Sequence, residues 1–330
     1  MRTPVRRASP SGGKTPPVLH ILRRRMSTPP SRHGRRRLLA VPAALLASAV
    51  AAPAAQAGFL FPEHGGSPNA DKIYTLYLLI FVIALIVFIG VGGALIWAMI
   101  RFRAKKGAVA AQIHGNTRLE IGWTVGAFLI LIFITVFTFI ELPGIKDPPK
   151  SDIDANGNPV TASAVLYAST DQPAPPKGSA SLNLRVDGQQ YVWRFTYPGG
   201  GNIPNVFSYV DMVVPVGMTV TLDITADDVA HSWWIPKLGG KQDAVPGYTN
   251  HTWFKIPESA IPPGQKQVVF NGQCAELCGR NHANMLARVV GMRFPDYQAW
   301  LQRKAAEIKQ ARDDAAQRRK QLDAQNAGTQ

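Results

Sequence analysis

Cys274-Ala275-Glu276-Leu277-Cys278-Gly279-Arg280-Asn281-His282-Ala283-Asn284-Met285 holds the only two cysteines of the 330-residue chain. A histidine follows the second cysteine by four residues, and a methionine follows the histidine by three. Two thiolates, an imidazole and a thioether so close together make a soft ligand set, which favours copper, with zinc as the main competitor. Gly272 and Gly279 suit a tight loop on which these side chains can converge. Lys266-Gln267-Val268-Val269-Phe270 before it and Ala287-Arg288-Val289-Val290-Gly291-Met292 after it read as strands. The stretch is therefore expected to join two strands of a β domain.

On spacing alone, other readings stay open. An even cysteine count in an exported chain suits a disulfide, although a bridge across four residues is short and leaves His282 and Met285 unexplained. Structural zinc could take both cysteines, His282 and a distant histidine, but has little use for Met285. The four could also be unrelated loop residues. A second imidazole stands in Asp228-Val229-Ala230-His231-Ser232-Trp233-Trp234-Ile235-Pro236, where a histidine beside tryptophans equally suits a packed core. His251 is its rival by proximity.

The formal net charge is +15, but it is unevenly spread. Residues 1–37 hold eleven Lys/Arg and no acid, whereas residues 147–300 hold thirteen acids and eleven bases. No basic patch with interleaved aromatics marks a nucleic-acid surface, so nucleic acid is not an expected partner. The N-terminus reads as a leader over 1–57. Arg35-Arg36-Arg37 is the charged region, Leu38 to Ala52 the apolar region and Ala55-Gln56-Ala57 the cleavage signal. The mature chain would begin at Gly58, and Met26 competes with Met1 as the start. A retained anchor is the alternative. No cysteine follows the cleavage signal to carry a lipid.

Residues 58–145 read as a membrane hairpin, with helices at about 73–100 and 121–140. Both runs are uncharged, and twenty helical residues span about 30 Å, the hydrocarbon thickness of a bilayer. Arg101 to Glu120 carries five basic residues against one acid, which puts that loop in the cytoplasm. Glu120 at the cytoplasmic boundary is either an ordinary acid near a helix N-terminus or a group that delivers protons to a membrane partner.

Residues 146–181, rich in Pro, Ala, Ser, Asn and Asp, read as a linker or insertion. Short runs of strand period follow over 182–300: Leu182 to Val186, Tyr191 to Phe195, Met212 to Val216, Val220 to Ile224 and Trp253 to Ile256. Gly/Pro clusters such as Pro198-Gly199-Gly200-Gly201 separate them, which argues a β-sandwich or barrel. Residues 301–330 read as a charged helical tail, disordered from Ala324, with the helix opening at Tyr297.

Together these residues resemble subunit II of haem–copper cytochrome c oxidases. The C-x-E-x-C-G-x-x-H-x-x-M run is similar to that family's binuclear copper centre, CuA. Asp228 to Trp233 matches its other ligand-bearing motif, Leu119-Glu120-Ile121-Gly122-Trp123-Thr124 the start of its second helix, and Lys241 to Gly247 a loop near the subunit I contact. The resemblance implies a two-helix transmembrane hairpin, a cupredoxin-like Greek-key barrel and a C-terminal helical tail. It implies that Cys274 and Cys278 bridge two coppers. His231 and Met285 would complete one copper, and His282 and the Glu276 carbonyl the other. It further implies a magnesium or manganese ion reached by the Glu276 carboxylate with Asp243 in its outer shell, and a proton-channel mouth at Glu120. The expected partners are cytochrome c, oxidase subunits I and III and the lipid bilayer. The expected location is multi-pass in a bacterial inner membrane, with the copper domain on the periplasmic side.

One departure concerns electron uptake. Where the family has two tryptophans in G-x-Q-W-x-W, this chain has Gly188-Gln189-Gln190-Tyr191-Val192-Trp193, so Tyr191 stands at the uptake position and Trp193 keeps the second. The strand after it lacks the acids often found there, while Asp228 remains. A membrane-tethered copper carrier or store is the alternative and would need an exposed, exchangeable site. A quinol oxidase subunit would lack the copper ligands, and nitrous-oxide reductase would lack the hairpin.

Overall fold

The computed structural model describes residues 61–103, 114–158, 180–198 and 206–327, with 107, 109 and 112 in the loop between the first two helices. The leader, the centre of the 146–181 segment and the Gly199-Gly200-Gly201 cluster lie outside these residues.

Helix α1 spans Pro68–Arg101 and α2 spans Thr117–Lys146. Both exceed the apolar runs because each gains turns from flanking polar residues. Pro68 suits the first turn, where an N–H has no helical partner. Asn116 caps α2 by accepting the Leu119 N–H at 3.2 Å, while Glu120 accepts the Asn116 N–H at 3.3 Å. This reciprocal pair satisfies two otherwise orphaned donors. Apolar side chains face outwards all round, with Phe88 and Ile100 73% and 74% exposed, as suits a lipid surroundings. Among the described residues these are the two helices able to cross a membrane. The expected multi-pass anchor is thus a two-span one.

The hairpin is tied to the domain above it by polar contacts. Lys72 pairs with Glu141 at 2.9 Å across the two helices. The Trp253 indole donates to the Lys146 carbonyl at 2.9 Å, closing the end of α2. Asn69 donates to the Trp253 carbonyl at 2.9 Å, and Ser67 Oγ accepts the Lys255 N–H at 3.0 Å. Ser67 and Asn69 are buried, so these bonds meet the need of buried polar groups for partners. Gly66 permits the approach, since an added Cβ would lie 2.5 Å from the Lys237 carbonyl oxygen.

Among the described residues ten strands follow: β1 Ser181–Gln189, β2 Val192–Tyr197, β3 Val206–Tyr209, β4 Asp211–Pro215, β5 Thr219–Ala226, β6 His231–Trp234, β7 Gln242–Ala244, β8 Asn250–Lys255, β9 Gln267–Cys274 and β10 Leu286–Met292. They form two five-stranded sheets, ordered β3-β2-β1-β5-β8 and β4-β10-β9-β6-β7. The β1–β5 and β4–β10 pairs are parallel and the others antiparallel. Alternate residues meet between the sheets. In β2, Trp193, Phe195 and Tyr197 are buried while Val192, Arg194 and Thr196 are less so, the period of a half-buried strand. Val210, at φ 66°, is the single residue between β3 and β4 where the chain changes sheet. A β-branched residue there costs about 1–3 kcal/mol. Its N–H donates to the Trp193 carbonyl at 3.2 Å and its carbonyl accepts from Arg288 at 2.8 Å.

Three expectations shift. Gly272 lies within β9, not in the loop. An added Cβ would fall 2.1 Å from the Trp234 carbonyl oxygen, so the glycine serves the close approach of β6. Tyr191 belongs to the turn before β2. The C-terminal helix α3 spans Phe294–Ala327, opening earlier than Tyr297 and continuing past Ala324. Its first turns close the barrel, with Tyr297 and Ile308 buried and Trp300 5.1 Å from the Tyr197 ring.

Candidate metal centre

The end of β9 delivers Cys274, the start of β6 delivers His231, and the loop to β10 carries Cys278, His282 and Met285. The loop folds back because the Cys274 N–H donates to the Met285 carbonyl at 2.9 Å and the Ala275 N–H to the Ser232 carbonyl at 2.8 Å. Gly279 turns the chain at φ 129°, a conformation side chains resist. His282 N–H then donates to the Gly279 carbonyl at 3.1 Å.

The sulfurs of Cys274 and Cys278 stand 4.0 Å apart. Both cysteines are free and buried, and a disulfide would need about 2.05 Å, so that reading is set aside. Around Cys274 Sγ lie His231 Nδ1 at 3.8 Å and the Glu276 carbonyl oxygen at 3.3 Å. Around Cys278 Sγ lie His282 Nδ1 at 3.6 Å and Met285 Sδ at 3.9 Å. Each sulfur thus has two further donors beside it. His231, Cys274 and Cys278 offer ligand atoms within 4.8 Å of one another. Met285 and His231 are fully enclosed. A soft, buried set of this kind fits copper.

Burial, and then the neighbouring Cys274, push the Cys278 thiol up to about 11. At neutral pH the Cys278 thiol keeps its proton until a metal displaces it.

His231 Nε2 lies 2.9 Å from Asp228 Oδ1. A carboxylate accepts, so Nε2 carries the proton and Nδ1 keeps a lone pair toward Cys274. Asp228 also accepts the Gln190 and Val229 N–H groups, each at 2.7 Å. Burial works to raise its pKa, but the bonds from His231, Gln190 and Val229 prevail and hold it below the usual carboxylate value. Asp228 therefore serves the histidine, a role beyond its being the acid that remains near the uptake position. Its spacing of three residues before His231 was the available signal. His251 pairs with Asp223 across β5 and β8 at 2.8 Å, so His231, not His251, is the imidazole beside the thiols.

Trp193 is wholly buried and meets the His231 ring edge-on, with centroids 5.8 Å apart. Gly188 makes room for both, since an added Cβ would lie 3.1 Å from each ring. Half-buried Tyr191 rests on the loop, with its hydroxyl 2.7 Å from where a Gly279 Cβ would be. Glu276 and Asp243 are exposed. Asp243 stands opposite Ser232 in the β6–β7 pair, and Ser232 is also bonded to Ala275. Glu120 lies at the far end of α2, away from these residues and engaged in the cap described above.

The periplasmic-domain model of the family "Cytochrome C oxidase subunit II" matches residues 200–291, and its transmembrane-domain model matches residues 54–140. "Cytochrome c oxidase subunit 2" of Alkalihalophilus pseudofirmus is 32% identical over 262 residues, covering 79% of this chain and 66% of that one. The protein of the same name from Thermostichus vulcanus is 31% identical over 269 residues, covering 73% and 77%. The crystal structure of the periplasmic domain of subunit II of cytochrome oxidase (CoxB) of Bradyrhizobium japonicum is 28% identical. It covers 39% of this chain and 96% of that chain, at a TM-score of 0.34.

Proposed function

The chain belongs to the cytochrome c oxidase subunit II family, and from that premise we propose that it is the electron-accepting subunit of such an oxidase, built around a binuclear copper centre. It takes electrons one at a time from a cytochrome c and hands them to haem in subunit I, where oxygen is reduced to water with proton translocation.

One observation carries the reading: each cysteine sulfur has one donor from each of two sets beside it. His231 and the Glu276 carbonyl flank Cys274, and Met285 and His282 flank Cys278. Cys274 and Cys278 would hold both coppers, with His231 and Met285 for one and His282 and the Glu276 carbonyl for the other. Such a pair supplies a one-electron acceptor whose charge is shared over two metals and two thiolates.

The chain's own residues supply rigidity and access. Strand ends hold His231 and Cys274, Asp228 fixes the imidazole, and Trp193 packs against it, so the donors need move little. Tyr191 and Trp193 form the uptake side. Enclosure of His231, Cys274, Cys278 and Met285 favours a resident centre over the exchangeable site of a carrier or store.

Further assignments rest on the family. The Glu276 carboxylate reaches a magnesium or manganese ion at the subunit I boundary, with Asp243 in its outer shell. Glu120 stands at the mouth of a proton channel. Subunit III completes the partners, and the copper domain faces the periplasm from a bacterial inner membrane. The test is metal content and electron paramagnetic resonance of the purified, reconstituted chain. Two coppers sharing one unpaired electron support the reading; a single copper supports the carrier.

A further inference from the structure

The second half of the metal loop is folded on itself, and its two ends are bonded to strands. The middle is different. Glu276 to Cys278 supplies a carbonyl and a thiol to the centre, yet the loop's backbone–backbone bonds do not reach it. Among the described residues, apart from the contacts of the Cys274 thiol itself, one hydrogen bond from outside the loop reaches residues 276–281: Gln190 Nε2 donates to the Cys278 carbonyl oxygen at 2.6 Å. Gln190 is itself fixed, because its backbone N–H donates to Asp228 Oδ2 at 2.7 Å. The fit is close, since a Cβ on Gly279 would lie 2.9 Å from Gln190 Nε2.

We propose that Gln190 is a positioning residue for the copper loop, holding the Glu276 carbonyl and the Cys278 sulfur in register with the half of the site built on β6 and β9. The proposal rests on the copper reading above. Gln190 supplies no metal ligand. It acts by fixing the planar peptide unit after Cys278, which sets the direction of the Cys278 side chain. The amide also joins the two sides of the centre, because the same residue is bonded to Asp228, the partner of His231. A site held within a narrow tolerance by such supporting contacts reorganises little. The glutamine and the cysteine are 88 residues apart in sequence.

Gln190→Met keeps the length of the side chain and removes the donor. In the full-length, copper-loaded chain this variant is expected to hold two coppers at first. It then loses them to a chelator about tenfold faster than the unaltered chain, the ratio that a net hydrogen bond of about 1.4 kcal/mol represents. Its copper absorption bands are expected to broaden. Gln189→Met, which removes the neighbouring glutamine's 3.0 Å bond to Asp227 and leaves the loop's own contacts in place, is expected to lose copper at the unaltered rate. If the unaltered chain fails to take up two coppers, the copper reading itself falls. If it takes up two and Gln190→Met matches it in loss rate and spectrum, only the positioning role falls, as it does if Gln189→Met speeds the loss equally. Should Gln190→Met not fold, hydrogen exchange in the unaltered chain decides. The Gln190 side-chain amide protons are expected to be protected, and exchange at the rate of a free glutamine would overturn the proposal.

Discussion

Asp228 Oδ1 lies 2.9 Å from His231 Nε2, so the carboxylate takes one ring proton and leaves Nδ1 facing the Cys274 sulfur. Asp228→Ala is expected to weaken copper retention about 10- to 100-fold, the usual effect of losing a contact that orients a ligand. The KM for the donor should stay constant. Copper competition titration and steady-state donor oxidation check this. Unchanged retention with a raised KM would return Asp228 to the docking surface.

Cys278→Ser keeps the shape of the loop but replaces a soft bridging thiolate with a hydroxyl. The bridged pair should be lost, and the visible spectrum with it. The buried hydroxyl adds about 1–3 kcal/mol of desolvation cost where it finds no partner, read as a lower unfolding midpoint. A spectrum equal to that of the unaltered chain would refute the bridging role.

Glu120→Gln separates two roles at the base of α2. A glutamine can still accept the Asn116 N–H, so the cap survives, while the ionisable group is gone. Turnover of the assembled oxidase should fall with the copper spectrum intact. Equal rates across a pH series would leave Glu120 as a helix cap only.

Tyr191 governs the fourth prediction. The exposed side chains around this end of the barrel include Leu277, Leu286 and Tyr209, at 77%, 52% and 50%. Asp211 is occupied by Arg288 at 2.6 Å, and Asp228 by His231. Steering of a basic donor should be weak, and weak steering means a shallow dependence on ionic strength. Stopped-flow reduction of the centre should vary little between low and high salt, and Tyr191→Ala should slow it without changing metal content. A steep salt slope with no effect of Tyr191→Ala would show that the donor docks through charge elsewhere.

What was legible in the sequence was local. The apolar runs from Ile73 and Ile121, and the ligand spacing from Cys274 to Met285, are patterns within one element or loop. Strands β3, β6 and β7 are only three or four residues long, too short to show a period. Gly272 was misread because a glycine in a strand looks like a turn, and its cause, the Trp234 carbonyl, is 38 positions away. The tie between Trp253 and Lys146 spans 107 residues, and no composition or spacing announces it. Asp228 stands three residues before His231, but a spacing of three in a loop does not by itself announce the hydrogen bond that joins them.

The central claim is two coppers bridged by Cys274 and Cys278, and the direct test is metal content together with electron paramagnetic resonance of the reconstituted full-length chain. The account predicts two coppers per chain and a spectrum in which one unpaired electron is shared equally between them. One copper per chain with a single-metal spectrum, or one zinc, would contradict it.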